Sequence, residues 1–406
     1  MRILHVAPCY APAWAYGGPV RVVTGLTYEL TRRGHDVTVF TTDGFIGERG
    51  LDSPELHGLR VRRFPVVSQR LARSARLFVA PKFGSAIASA VRDADIVHIH
   101  EHRTLQAVSA AAACRHADVP YVLSAHGSLP IVVQRVLVKR FFDQLLGKRV
   151  IEGARAFVAV SAVERQQLLG YGIDHRRIRE IPNGLDSGFF KALPGAGQFR
   201  ALHGLEGADL VLFVGRIHAQ KGLATLLEAF ALLARDRERA VLVIAGPDDG
   251  YADVLTLNAR RWGLESRVHV IGPLYDQDKL RAYVDANVLV YPSAYEIFGL
   301  VPLEAIACGT PTVVCDGTAC AQIVGELEAG VSVRPHDPEA LAAGITEILD
   351  RPDPSRQLRH ERSLLADRYS WATIAAQVES LYAHCMSQHR AAHGRCSQLA
   401  RPMRPV

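Results

Sequence analysis

Short apolar runs alternate with longer stretches of helical period along most of the chain. Residues 3–6 form the first run, and a loop rich in Pro, Gly and aromatic residues follows over 7–19. Residues 20–33 have the length and spacing of a helix, which Gly34 closes. Residues 37–41 supply the next run. Strand, loop, helix and strand in that order open a doubly wound α/β domain. Further runs fall at 95–100, 121–126 and 156–161, then beyond a break at 210–215, 241–247, 267–273, 288–290 and 311–315. Ser161 with Glu164 three residues on has the form of a capping box, and Asp337 before Pro338 marks another helix start. Residues 222–233 and 280–286 read as helices.

The interruptions divide the chain. Pro182, Asn183 and Gly184 close the first set of strands, and Gly195 and Gly197 lie in a linker over 187–209. The expected domains are 1–186 and 187–365, both Rossmann-like. A closing helix is expected over 366–386, and residues 387–406, without periodicity, are expected to be disordered. A chain of 406 residues is too long for one ordinary core, and 49% hydrophobic with 22% charged content suits a soluble globular protein. The seven cysteines (Cys9, Cys114, Cys308, Cys315, Cys320, Cys385 and Cys396) are scattered, lack zinc-site spacing and read as reduced core thiols of a cytosolic protein. The first apolar run is too short for a signal peptide, and none approaches the roughly 20 residues of a spanning helix. A net charge of +6 fits anionic small molecules or an acidic membrane surface and is too small to argue for nucleic acid.

Several segments bear two readings. Residues 44–81 look irregular and carry Arg60, Arg62, Arg63, Arg70, Arg73 and Arg76, a solvated face or a seat for an anionic acceptor. His98, His100 and His102 alternate and so are expected on one face, where a strand end is a better reading than a metal site. Residues 129–150 place Val133, Val136, Leu137, Phe141, Leu145 and Leu146 at helical spacing among Arg135, Lys139, Arg140, Lys148 and Arg149. Such a helix packs on its own domain or lies on an anionic membrane.

Chemistry concentrates in residues 291–311. Glu296 lies in a strand-to-helix loop beside Phe298, Gly299 and Leu300, and Glu304 lies in the helix that follows. Loops at the carboxyl edge of a parallel sheet bind ligands, and a helix start there favours an anion. Arg216 and Lys221 follow the run 210–215 in the same way, making a second anion seat beside Gly215 and Gly222. His126 stands at a strand's carboxyl end, and Gly17 and Gly18 precede a helix. No Gly-x-Gly-x-x-Gly is present, which counts against a dinucleotide enzyme.

Glu296-Ile-Phe-Gly-Leu with Glu304, Gly215-Arg216 with Lys221-Gly222, Pro182-Asn183-Gly184, Ala125-His126-Gly127 and Gly17-Gly18-Pro19 occur in one order across most of the chain. Together they resemble the retaining glycosyltransferases of the two-Rossmann-domain (GT-B) type, the group 1, family 4-like set. The resemblance implies an α/β fold of two doubly wound domains facing a cleft, the first for the acceptor and the second for the nucleotide sugar, with the closing helix returning to the first. It implies hexose transfer to a glycan or lipid-linked saccharide without a metal or other cofactor. His126, Arg216, Lys221 and Glu296 take catalytic roles under it. Gly17, Gly18, Gly215, Phe298, Gly299, Leu300 and Glu304 hold the donor, Glu304 through its ribose. A cytoplasmic seat, with peripheral contact at the inner face of the membrane, agrees with this. Ile297 stands where the family commonly has Gly, and Gln322 where it commonly has Glu. The donor base stays open among UDP, GDP and ADP. A sugar-nucleotide epimerase on the same fold and a non-catalytic nucleotide-sugar binder are the alternatives.

Overall fold

A computed structural model describes residues 1–45, 58–130, 136–186, 188–191, 193–352, 358 and 364–399. The chain forms two compact units, Met1–Gly184 with Trp371–Val406 and Leu185–Ser370. Each is built on one parallel sheet.

The first unit holds β1 (Arg2–Val6), β2 (Asp36–Thr42), β3 (Leu59–Phe64), β4 (Ile96–His100), β5 (Tyr121–Ser124), β6 (Ala156–Ala159) and β7 (Ile178–Glu180), in the order β3-β2-β1-β4-β5-β6-β7. Strand order reverses between β1 and β4, which pair with His5 opposite His98. Both faces are covered, so the central strands are apolar on both sides. Leu4, Val6, Val97, Ile99 and Leu123 point into one core, and Ile3, Ile96 and Val122 into the other. The helix Trp371–Leu399 covers the second face with Ile374, Ala375, Val378, Leu381 and Tyr382. Arg33 and His35 hold Glu379 of that helix at 2.7 Å.

Two expectations need correction here. Residues 59–64, within the stretch read as irregular, form β3, half-buried at the sheet edge, where the exposed Arg60 and Arg62 alternate with Leu59 and Val61. The closing helix does not stop near residue 386. It runs to Leu399, so residues 387–399 are helical and not disordered. Met386 packs on the core and His389 meets the Asp118 carbonyl at 2.9 Å, contacts that a reading of periodicity alone does not see. The apolar stretch around 137–145 turns its apolar residues outward. Leu137 is 79%, Phe141 65% and Leu145 52% exposed, while Asp143, in a π-turn over Asp143–Gly147, is buried. Arg103 donates to Asp143 at 2.6 and 2.8 Å and Tyr171 Oη donates to Asp143 at 2.9 Å, which fixes that orientation. Val133 and Arg135 lie outside the described residues.

The second unit holds β8 (Asp209–Val214), β9 (Ala240–Ala245), β10 (Val268–Val270), β11 (Val288–Tyr291), β12 (Thr312–Cys315) and β13 (Gly330–Val333), in the order β10-β9-β8-β11-β12-β13. Its reversal lies between β8 and β11. The helix read over 280–286 spans Asp276–Asp285. Its longer start brings Lys279 into the core. The six cysteines other than Cys396 are buried thiols.

Candidate functional site

In the second unit the carboxyl ends of β8 and β11 gather the charged residues. After β8 the chain passes Gly215 and Arg216 into a short turn, Ala219–Lys221, and then the helix Leu223–Asp236. Gly222 joins turn to helix at φ +71°, and a Cβ there would overlap the Pro292 carbonyl. That close approach seats Lys221 against the end of β11. Lys221 Nζ donates to Tyr291 Oη at 3.1 Å and to Glu296 Oε1, and Tyr291 Oη meets the same oxygen at 3.1 Å. Burial works against the Lys221 charge. Tyr291 and Glu296 outweigh it and raise the ammonium pKa above its ordinary value. Glu296 Oε2 takes no hydrogen bond from a described residue.

Gly299 begins the helix Leu300–Ala307 at φ +86°, with Cys320 where a side chain would stand. The first N–H groups of a helix have no intrahelical partner, so this start is able to seat an anion. The Phe298 ring is buried edge-on to Tyr369 at 6.1 Å, which leaves its backbone as the part able to meet a ligand. Arg216 is half-buried and pairs with Asp249 at 2.7 Å, a partner the sequence reading missed. Among the described residues it makes no bond to Lys221 or Glu296. Gln322 is exposed on the helix Ala319–Glu326.

Glu304 lies deeper than expected, 5% exposed. Lys279 Nζ donates to both its oxygens at 2.9 Å and Tyr283 Oη to Oε2 at 2.8 Å. Lys279 also sits 5.2 Å from the Phe189 ring centroid. Lys279 and Tyr283 stand four apart on one helix face, a spacing that could have pointed to a shared partner.

In the first unit His126 follows β5 in the left-handed region, φ +50°. Gly127 N donates to Glu164 Oε1 at 2.6 Å and Val160 N to Oε2 at 2.9 Å. Ser161 caps its helix as expected, accepting from Glu164 N at 3.2 Å. The Glu164 side chain also ties down the His126–Gly127 turn. Burial raises its pKa to about 7, against the two backbone donors. His98 and His100 share the face of His5, but Glu101 at φ +63° ends the alternation. His102 turns instead to Ser128 Oγ at 3.0 Å. Gly17 and Gly18 start the helix Gly18–Arg32, with Pro19 in its first turn.

The two doubly wound parallel units define the class: an α/β protein of the GT-B type. Residues 198–383 match the family described as Glycosyl transferases group 1, and residues 16–189 that described as Glycosyltransferase Family 4. D-inositol 3-phosphate glycosyltransferase of Frankia alni is 31% identical over 408 residues, covering 95% of this chain and 98% of that protein. Its counterpart in Kineococcus radiotolerans is 29% identical, covering 96% of each. The crystal structure of HepE from Anabaena in complex with UDP-glucose superposes with a TM-score of 0.76 at 19% identity, over 94% of this chain and 99% of that one, a likeness of fold. The chain belongs to the group 1 glycosyltransferases.

Proposed function

We propose that this glycosyltransferase moves a hexose from a nucleotide diphosphate to a saccharide hydroxyl, without a metal and with retention at the anomeric carbon. The observation that carries the reading is the group Lys221, Tyr291 and Glu296 beside the helix start at Leu300. Cleavage of the sugar–phosphate bond places negative charge on the leaving diphosphate. Lys221, Arg216 and the helix start supply fixed positive charge and dipoles to meet it, the work a metal ion does elsewhere. Glu296 Oε2 is left to accept from hydroxyls of the transferred sugar, and Glu304 Oε1, which among the described residues accepts from Lys279 alone, from the ribose. Backbone N–H groups near Gly215 and Gly299 complete the donor seat. His126 and the Gly17-Gly18 turn serve the transferred sugar and the diphosphate, as the family resemblance has them. Retention by same-face attack rests on that resemblance too.

The name of HepE's bound ligand makes a UDP-sugar the first donor to try. The relatives named for D-inositol 3-phosphate support a polar, anionic acceptor. A lipid-linked saccharide is the alternative, which the exposed Leu137, Phe141 and Leu145 favour through peripheral contact with the inner face of the membrane. Among the described residues no helix is long and apolar enough to cross a membrane. Thermal-shift panels of UDP-, GDP- and ADP-sugars identify the donor by mass action. Incubation with the labelled donor and candidate acceptors then reads the reaction. Labelled saccharide with the parent anomeric configuration supports the proposal. An epimerised sugar nucleotide without transfer, or an inverted product, sinks it.

A further inference from the structure

Four imidazoles lie at the strand-order reversal of the first unit. His5 Nδ1 stands 3.0 Å from His100 Nε2, and His100 Nδ1 stands 3.0 Å from His126 Nε2. The His100 ring lies nearly parallel to those of His5 and His126, at 13° and 10°, with centroids 5.3 Å apart, the edge-to-edge arrangement that ring N–H···N bonds require. His98 is held separately, by Tyr382 Oη at 2.6 Å and Ser124 Oγ at 2.8 Å. His5, His98 and His100 are fully buried, and burial lowers all their pKa values, that of His5 to about 3. Burial lowers the His126 pKa as well, to about 4, so the three rings of the line are neutral, each with one N–H, and two protons make its two hydrogen bonds. Only two orders are possible. Either every ring donates toward His126, or every ring donates toward His5.

The buried end decides between them. Among the described residues His5 Nε2 is buried with no partner. Donation toward His5 would leave an N–H there without an acceptor. Donation toward His126 leaves only an unprotonated nitrogen there; among backbone groups buried orphan N–H donors are the rarer kind in native structures, and the same preference is carried over to the imidazole. We infer that His5 and His100 form a one-way imidazole relay that fixes His126 as the Nδ1–H tautomer, presenting a donor at the carboxyl edge of the sheet. His100 and His5 are then positioning residues for His126. Resting on the proposed function, the relay gives the transferred sugar an N–H where an unguided imidazole would divide between two tautomers. The same rings could be read as a metal site, since ligand atoms of His5, His98 and His100 lie within 4.8 Å of one another. The bonds already made by His5, His98 and His100 argue for the relay.

Selective ¹⁵N-histidine labelling tests this on the whole protein without substrate, with His126 assigned by its loss in His126→Gln. The wild-type signal should show Nδ1 protonated and Nε2 bare. His100→Asn keeps an N–H donor at the position of Nδ1 and should preserve that tautomer and kcat. His100→Leu removes the donor and should shift His126 toward Nε2–H, lowering kcat at least tenfold with donor KM little changed. Should His100→Leu not fold, the wild-type and His100→Asn spectra decide alone. Protonated Nε2 in the wild type, an unmoved tautomer in a folded His100→Leu, or a stoichiometric metal lost on His98→Asn would each overturn the relay. Absence of transfer by the wild type with every nucleotide sugar sinks the functional reading instead and leaves the tautomer result intact.

Discussion

The two units share one strand order around their reversal points and use it for opposite electrostatics. In the first, β1 and β4 bring together neutral, buried imidazoles joined by hydrogen bonds. In the second, β8 and β11 bring together full charges, Lys221 with Glu296, and behind them Lys279 with Glu304. The backbone logic is the same, because in both a parallel sheet delivers the strand ends to one edge. What differs is how each unit satisfies polar groups taken out of water. Imidazoles avoid the cost by staying neutral, and the ion pairs meet it with a partner.

Acid should separate the two units most strongly. His5 and His126 are held at about 3 and about 4 by burial, below the ordinary histidine value. Their contribution is complete above about pH 6.5 and is lost as pH falls toward the folded values, because only the unfolded chain then binds the protons. At pH 5 this costs ~2 kcal/mol for each of the two, with His98 and His100 adding to it. Glu164, raised to about 7, works the other way and stabilises the fold as pH falls below 7, offsetting about one imidazole. Hydrogen exchange between pH 7 and 5 should show β1 and β4 losing protection before β8 and β11. Equal loss in both sheets would erase the contrast.

Breaking the deeper ion pair comes next. Lys279→Met leaves the Glu304 carboxylate buried with Tyr283 as its remaining donor, at a cost of about 3–5 kcal/mol. The double variant with Glu304→Leu should recover most of it in urea unfolding. Should the double variant be no more stable than the single, the pair is not the source of the cost.

Lys221→Ala should lower kcat on the order of 100-fold and leave donor KM nearly unchanged, because its contact strengthens as diphosphate charge grows. A rise in KM alone would move Lys221 from transition state to ground state. Vesicle binding is a smaller effect, about 1 kcal/mol for each basic residue at an anionic surface. Wild-type protein should sediment with anionic vesicles at low salt and be released at high salt, and the triple change of Arg135, Lys139 and Arg140 to Glu should abolish sedimentation. Equal recovery of both proteins would restrict the exposed apolar residues to some other role. EDTA should change nothing: activity lost on chelation and restored by Mg²⁺ would give the charge of Lys221 and Arg216 a metal partner.

Much of this protein was legible without coordinates. Strand runs, helix lengths and Gly–Pro punctuation obey local rules, so both doubly wound sheets, the loop carrying Glu296 and the helix after Gly299 could be read from residue order. β3 escaped because an edge strand with alternating arginines looks like a solvated loop. The pairings on which the proposed chemistry rests belong to the tertiary structure. Lys221 and Glu296 are 75 residues apart, Lys279 and Glu304 25, and His5 and His100 95. No periodicity links such positions. Strand register, the glycine contact at Gly222 and the crossover helices determine which side chains share an edge. The same holds for Leu137 and Phe141, whose spacing predicted a helix but not the face it would show. Burial of Asp143 against Arg103 turned that face outward, a choice made by a partner 40 residues away.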